Sequence, residues 1–236
     1  LKSTNVNQRS EAVMALGRLA DTDAIAPLVD VLCHDDTLNI REDAVWSLAR
    51  MGSAAVEPLL DALKDADASA RHNIVHALGK IGDARAAHAL IALLNDSDEA
   101  VRLKTVYVLG QLGALEAVEP LTACLHDASE QVRWTAIEVL AGYGESAVTA
   151  LSAALHHADA QAREGAASTL GRIESPQSVV ALVDALNDED AEVRLAVVQA
   201  LGELGAHGVA PALEALRDDP DPRVRIMAGA ILKLLR

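Results

Sequence analysis

Apolar residues recur through residues 53–82 in two blocks. Val56, Leu59, Leu60 and Leu63 form the first, and Ile74, Val75, Leu78 and Ile81 the second. Each block is spaced to line one face of a 3.6-residue helix. An aspartate-rich turn separates the blocks and a glycine follows the second. The pattern predicts a helical hairpin, an outer helix A followed by an inner helix B. The same hairpin returns along the whole chain. Arg9, Arg41, Arg71, Arg102, Arg133, Arg163, Arg194 and Arg225 each open a B helix, at gaps of 32, 30, 31, 31, 30, 31 and 31 residues. A leucine follows each arginine after seven residues, and the next position is glycine or alanine in seven copies, Lys233 standing in the last. A fixed repeat of this length signals stacked units that share one elongated core. Residues 1–236 therefore read as a single all-α array of about 31-residue hairpins with eight inner helices.

The start of each B helix is marked by a capping residue four positions before the arginine: Asn5, Thr37, Asp67, Asp98, Ser129, Asp159, Asp190 and Asp221. All eight side chains are able to accept a hydrogen bond from an orphan N–H of the first turn. Pro222 follows Asp221 at the first helical position, where its missing N–H costs nothing. Gly52, Gly82, Gly113, Gly144 and Gly205, eleven residues after their arginines, are placed to end helix B in a left-handed conformation. Ala20 and Glu174 replace that glycine in two copies.

The arginine shares a helix face with the buried leucine seven residues on, nearly two turns away. A guanidinium on that face needs partners. Aspartate stands six residues upstream at 35, 65, 96, 127, 188 and 219, with Ser3 and His157 in the other two copies. The expectation is a structural ladder of Arg–Asp contacts and turn caps along one edge, because every copy carries the arginine.

Composition narrows the function. Hydrophobic residues make up 51% of the chain but aromatics only 2%, with no Phe, so the core is built of Leu, Val, Ile and Ala. A net charge of −15 argues against a nucleic-acid groove, whose footprint is basic, and against anionic membrane surfaces. No apolar run is long enough to span a bilayer. Cys33 and Cys124, 91 residues apart, form no metal spacing and read as small hydrophobes of a reducing, cytoplasmic compartment.

The pattern D-x-x-V-R-x-x-A-x-x-x-L-G, as in residues 98–110 and 190–202, and the segment A-V-x-P-L at 55–59 and 117–121 resemble HEAT repeats, most closely the short type first associated with phycobilin lyases. The resemblance covers essentially the whole chain. It implies a right-handed α–α superhelix with B helices lining the concave side. The same repeat occurs in lyases, scaffolds and enzymes, so it does not transfer one activity. One related branch, the di-iron deoxyhypusine hydroxylases, carries His-Glu pairs directly after the repeat arginine. Here those positions read Glu42-Asp43, His72-Asn73, Leu103-Lys104, Trp134-Thr135 and Glu164-Gly165, which speaks against that chemistry.

Positions one, two, five and nine after the arginine lie about 100°, 200°, 140° and 180° around helix B from it and are expected to face the groove. Trp46 and Tyr107 fall at the fifth position and Trp134 at the first, so three of the four aromatic side chains are placed there. Trp and Tyr are favoured interface anchors. Glu42, His72, His76 and Glu138 are candidate polar contacts. Arg50, Lys80 and Lys104 add positive charge that suits an acidic or amphipathic peptide. His72 and His76, with Glu42 and Asp43 on the preceding B helix, also form a weak metal-like constellation.

The C-terminal end carries Leu195, Ala196, Ile226, Met227, Ala230 and Leu234 on the same outward columns. This apolar end, and a first B helix without a helix A before it, read as an array trimmed from a longer one, or as a docking end for a partner or a second copy. The leading functional reading is a non-catalytic scaffold, without cofactor or metal, that binds a protein or peptide in its groove. A bilin lyase or bilin-binding chaperone comes second, and a metal enzyme built on His72 and His76 third.

Overall fold

The computed structural model describes residues 1–205 and 207–234. The element order is helical throughout. The α-helices are α1 (Val6–Leu19), α2 (Ile25–His34), α3 (Leu38–Met51), α4 (Val56–Ala62), α5 (Ala68–Ile81), α6 (Ala87–Ala92), α7 (Glu99–Leu112), α8 (Val118–Thr122), α9 (Glu130–Gly142), α10 (Glu145–Ala154), α11 (Ala160–Gly171), α12 (Pro176–Asp184), α13 (Ala191–Glu203), α14 (Ala210–Ala215) and α15 (Pro222–Leu234). Odd-numbered helices are the inner B helices, each headed by a repeat arginine. Even-numbered helices are the outer A helices, most of them extended by short 3₁₀ turns. Two compact units result, Leu1–Ala117 and Val118–Arg236.

Within the first unit α1 packs on α3, α3 on α5 and α5 on α7; within the second α9 packs on α11, α11 on α13 and α13 on α15. The repeated leucine is the core of each hairpin. Leu48, Leu78, Leu109, Leu140, Leu170 and Leu201 are fully buried. Leu16 is only half-buried. Truncating one of the buried leucines to alanine costs about 2–5 kcal/mol by lost transfer energy and cavity formation.

The residue after the leucine explains its own chemistry. A Cβ added at Gly79 would lie 2.7 Å from the Val108 side chain, at Gly171 2.6 Å from Ala200, and at Gly17 2.5 Å from Ser47. Gly202 faces Ile231 in the same way. In each case the glycine, eight residues after its arginine, meets the side chain six residues after the next arginine. The Leu-Gly signature is a closest-approach point between consecutive inner helices.

Helix caps follow the sequence with one exception. Asn5, Asp67, Asp98, Ser129, Asp159 and Asp190 each accept a first-turn N–H, and Asp221 accepts that of Arg223 at 2.7 Å. Thr37 makes no such bond. Its hydroxyl instead accepts from Arg9 and donates to Asp36. Gly82 and Gly113 close their helices in the left-handed region. Gly52 and Gly144 take positive φ with ψ near −140°, a combination open essentially to glycine alone. Ala20 adopts φ 51° in place of glycine.

The arginine ladder exists, but its partners differ from those the spacing suggests. Asp35, Asp96, Asp188 and Asp219 each clamp the arginine of the preceding repeat, not the one six residues after them. Arg194 donates Nε to Asp219 Oδ2 at 2.8 Å and Nη2 to Oδ1 at 3.0 Å. Its Nη1 donates to the carbonyl oxygen of Asp188, six residues back in its own repeat, at 2.7 Å. Arg9 with Asp35, Arg71 with Asp96 and Arg163 with Asp188 repeat the bidentate clamp. The same aspartate oxygen that binds the guanidinium also closes its own turn, as Asp219 Oδ1 does for the N–H of Asp221. Burial pushes the Asp35, Asp96 and Asp188 carboxyls up. The arginine bonds, the turn N–H and the guanidinium charge outweigh it and hold all three below the usual carboxylate range. At Asp219 the Arg194 bond is the largest influence, and the direction is the same.

Two rungs are altered. Asp65 lies inside the last 3₁₀ turn of its hairpin, so Ala66 holds the position that aspartate holds elsewhere. Arg41 Nε is buried without a partner as a result. In the second unit His157 takes the aspartate position. Its Nδ1 accepts the N–H of Asp159 at 3.0 Å, reproducing the turn closure. It offers no carboxylate to Arg133, whose Nη1 reaches only the Asp127 and Ala128 carbonyls.

Candidate interaction surface

The core of each inner helix centres on the third, fourth and seventh residues after the arginine, as in Ile74, Val75 and Leu78. The outward side therefore centres on the fifth and ninth positions, with the first at its edge. In the first unit Trp46 and Tyr107 stand 53% and 52% exposed on α3 and α7. His76 occupies the same position of α5, half-buried between them in sequence order. The second position does not face outward as expected. It points toward the outer helix of the preceding hairpin: Asn73 is buried and donates to the carbonyl oxygen of Leu32 in α2 at 3.3 Å, Gly165 is buried against Leu125, Ala196 is buried, and Lys104 is half-buried.

The ninth-position basic side chains are engaged with the preceding inner helix. Lys80 Nζ sits 4.7 Å from the centre of the Trp46 ring, a cation–π contact. Arg50 donates Nε to the Gly17 carbonyl at 3.3 Å. In the second unit Arg172 pairs with Glu138, so Glu138 is already balanced. The Tyr107 hydroxyl accepts from Gln111 at 3.3 Å.

His72 and His76 are drawn to the same patch, with His76 Nδ1 3.5 Å from Glu42 Oε2. Burial, then the Lys104 charge, pushes both imidazoles below the usual histidine range. Asp43 is taken by the Ser10 hydroxyl, which donates to it at 2.6 Å. Among the described residues no three His, Cys, Asp or Glu side chains come together as a metal-holding group. The patch is instead an exposed aromatic and basic face.

The second unit holds a concavity of about 200 Å³ with Trp134 at its edge, 51% exposed. Leu125, Ile137 and Gly165 supply its apolar part. A Cβ at Gly165 would lie 3.1 Å from the Leu125 side chain, so glycine holds part of this space open. Sequence reasoning placed Trp134 on the surface but missed the concavity, which is framed by residues from two helices some thirty positions apart. His126 Nδ1 is buried without a partner, and its ring lies 4.9 Å from that of His157.

At the C-terminal end Ile226 and Leu234 are exposed, at 73% and 79%. Leu195 and Met227 are half-buried and Ala196 is buried, so the apolar end is narrower than the sequence pattern indicates. Cys33 is half-buried and Cys124 buried. No helix among the described residues is long and apolar enough to cross a membrane.

Similarity to solved structures is broad. Importin beta aligns with a TM-score of 0.62 at 15% identity, over 99% of this chain and 39% of that one, which shows a shared fold. Human deoxyhypusine hydroxylase in complex with glycerol aligns over 94% of this chain and 99% of its own, at 23% identity and a TM-score of 0.42. The complex of CpcE and CpcF of phycocyanin lyase from Nostoc sp. PCC7120 aligns over 100% and 92%, at 20% identity and 0.47. Scores at these two levels carry no functional argument. No curated protein matches the sequence. The model of HEAT repeats matches residues 1–63, 34–102, 56–141, 87–155 and 147–233, nearly the whole chain, and the chain belongs to the HEAT-repeat family.

Proposed function

We propose that this chain is a non-catalytic scaffold that binds a protein or peptide on the outward, concave side of its inner helices. One observation carries the reading. In a chain with two Trp, two Tyr and no Phe, three of the four aromatic rings stand about half exposed on inner-helix surfaces: Trp46, Tyr107 and Trp134. A large ring left in water forgoes about 1.5–3 kcal/mol of burial. A core made almost wholly of aliphatic residues had room in its composition for these rings, yet they lie outside it. Repeat arrays keep core positions constant and vary the exposed ones that make contact, and Trp and Tyr concentrate binding energy at such contacts.

His72, His76, Glu42, Arg50, Lys80 and Lys104 frame the aromatic face of the first unit as polar contacts. Lys80 over Trp46 holds that ring in a defined orientation before a partner arrives, which lowers the entropy lost on binding. The test is affinity capture from native lysate on the wild-type chain and on Trp46→Ala/Tyr107→Ala/Trp134→Ala, with mass spectrometry of the eluates. A partner retained by the wild type and lost from the triple variant supports the reading. Identical eluates would refute it.

A further inference from the structure

The concavity of the second unit has a lining whose chemistry selects its occupant. Glu130 from α9 and Glu164 from α11 reach it, together with Trp134, Arg133, Gln161 and Ser168. Neither glutamate has an ion-pair partner among the described residues. Glu164 also stands near two further carboxylates, Asp190 at the N-cap of α13 and Glu192 in its first turn. Burial, then Glu192 and Asp190, pushes its carboxyl above the usual range, and the opposing influence of Arg133 is smaller. The lining itself sets two carboxylates, Glu130 and Glu164, against the one guanidinium of Arg133 and so carries a net negative charge. Arg133 itself is tethered by Nη1 to the Asp127 and Ala128 carbonyls of the turn, at 2.7 and 3.2 Å.

We propose that this concavity binds the side chain of an arginine or lysine from a partner protein or peptide, with the cation against the Trp134 ring and the Glu130 and Glu164 carboxylates. The inference rests on the scaffold reading and names the chemistry of one of its contacts. Three features of the site support this occupant. A tryptophan face attracts a cation within about 6 Å of its centre. Leu125 and Ile137 give the methylene stem of a long basic side chain an apolar surface to lie on, while its charged head stays at the polar rim. The volume, about 200 Å³, is below the roughly 300–1,000 Å³ of whole small-molecule pockets and suits a single side chain. The net charge of −15 steers basic partners toward the protein. An anionic occupant would have to approach both glutamates, and only Arg133 would offset them.

The experiment uses the full chain carrying Trp46→Tyr, so that Trp134 is its one tryptophan and its fluorescence reports the concavity. The probes are the amidated peptide acetyl-Gly-Gly-Arg-Gly-Gly, the same peptide with neutral, near-isosteric citrulline, and the same peptide with glutamate. The arginine peptide is expected to change Trp134 emission saturably and to bind at least about tenfold more tightly than the citrulline peptide, a difference of about 1.4 kcal/mol. The glutamate peptide is expected to produce no saturable change. Glu130→Gln/Glu164→Gln, with an unchanged melting curve, is expected to erase the preference for arginine. Equal binding of arginine and citrulline peptides, preferential binding of the glutamate peptide, or no saturable response to any of the three overturns the proposal. Failure here with partner capture still dependent on Trp46 and Tyr107 removes the basic-side-chain site alone. Loss of that capture dependence removes the scaffold reading itself.

Discussion

At the residue scale, the two letters Leu-Gly do separate jobs. The leucine fills the core of its own hairpin, and the glycine admits the next inner helix. Gly79→Ala forces a methyl against Val108 and is expected to destabilise the fold by about 1–3 kcal/mol, as overpacking does. Gly142 lies in α9 with nothing within 4 Å of a would-be Cβ. Gly142→Ala is expected to be neutral or to stabilise by up to about 1 kcal/mol through helix propensity and unfolded-state entropy. Urea denaturation of both variants checks the contrast. If both behave alike, the closest-approach account of the signature is wrong. The glycine pattern was legible in the sequence. Its reason was not, because Gly79 and Val108 are 29 residues apart and their meeting depends on how two helices cross.

The buried clamp is the other residue-scale test. Arg194 and Asp219 have side chains only 9% and 3% exposed. Removing one partner of such a pair strands the other and costs about 3–5 kcal/mol. Asp219→Ala is expected to fall in that range, measured by urea denaturation. A loss below about 1 kcal/mol would mean that water replaces the carboxylate without penalty.

At the element scale, the turns between helices carry the stability that depends on pH. Asp35, Asp96, Asp188 and Asp219 have folded-state values below the usual carboxylate range. The unfolded chain then binds protons first as pH falls. Their contribution is fully present above about pH 4 to 5 and is lost on further acidification. His72 and His76 act in the same sense at higher pH. Their folded values lie below the usual histidine range, so stability drains as pH drops below about 6.5. Denaturation midpoints are expected to fall steadily from pH 7 to pH 4. Lys104→Gln is expected to raise the titration midpoints of both imidazoles in NMR. No movement in either would show that burial alone sets them.

The ladder also shows where spacing misleads. An aspartate six residues before an arginine suggests a local pair. In the folded chain that arginine takes the carbonyl of the same residue, and the carboxylate reaches back 25 or 26 residues to the preceding arginine. The altered rung at Arg133 was visible in the sequence as His157, but its consequence appeared only with the inter-repeat geometry. His157→Asp supplies the absent carboxylate and is expected to stabilise the fold by about 1 kcal/mol, the scale of a partly exposed charge-assisted pair. No gain in thermal denaturation would show that Arg133 cannot turn toward it.

At the scale of the whole molecule, the repeat, the helical hairpins and the order of inner helices were all readable, because period and apolar spacing are properties of the chain itself. The outward faces were only partly so. Trp46, Tyr107 and Trp134 emerged where the helical wheel puts them. Lys104 is half-buried, and Arg50, Lys80 and Arg172 reached back to the preceding inner helix. Long side chains choose among neighbours that a helical wheel does not contain. The resulting surface has an aromatic and basic face in the first unit and an acidic concavity in the second. Contacts with more than one chemical character are what a scaffold for a folded or extended protein partner requires.

The most direct measurement is calorimetric titration of the captured partner into the wild-type chain and into Trp46→Ala/Tyr107→Ala/Trp134→Ala, both confirmed folded by circular dichroism. Binding through the aromatic face predicts an affinity loss of at least about a hundredfold, about 2.7 kcal/mol or more. An affinity unchanged within about twofold would contradict it and move the contact away from the inner helices.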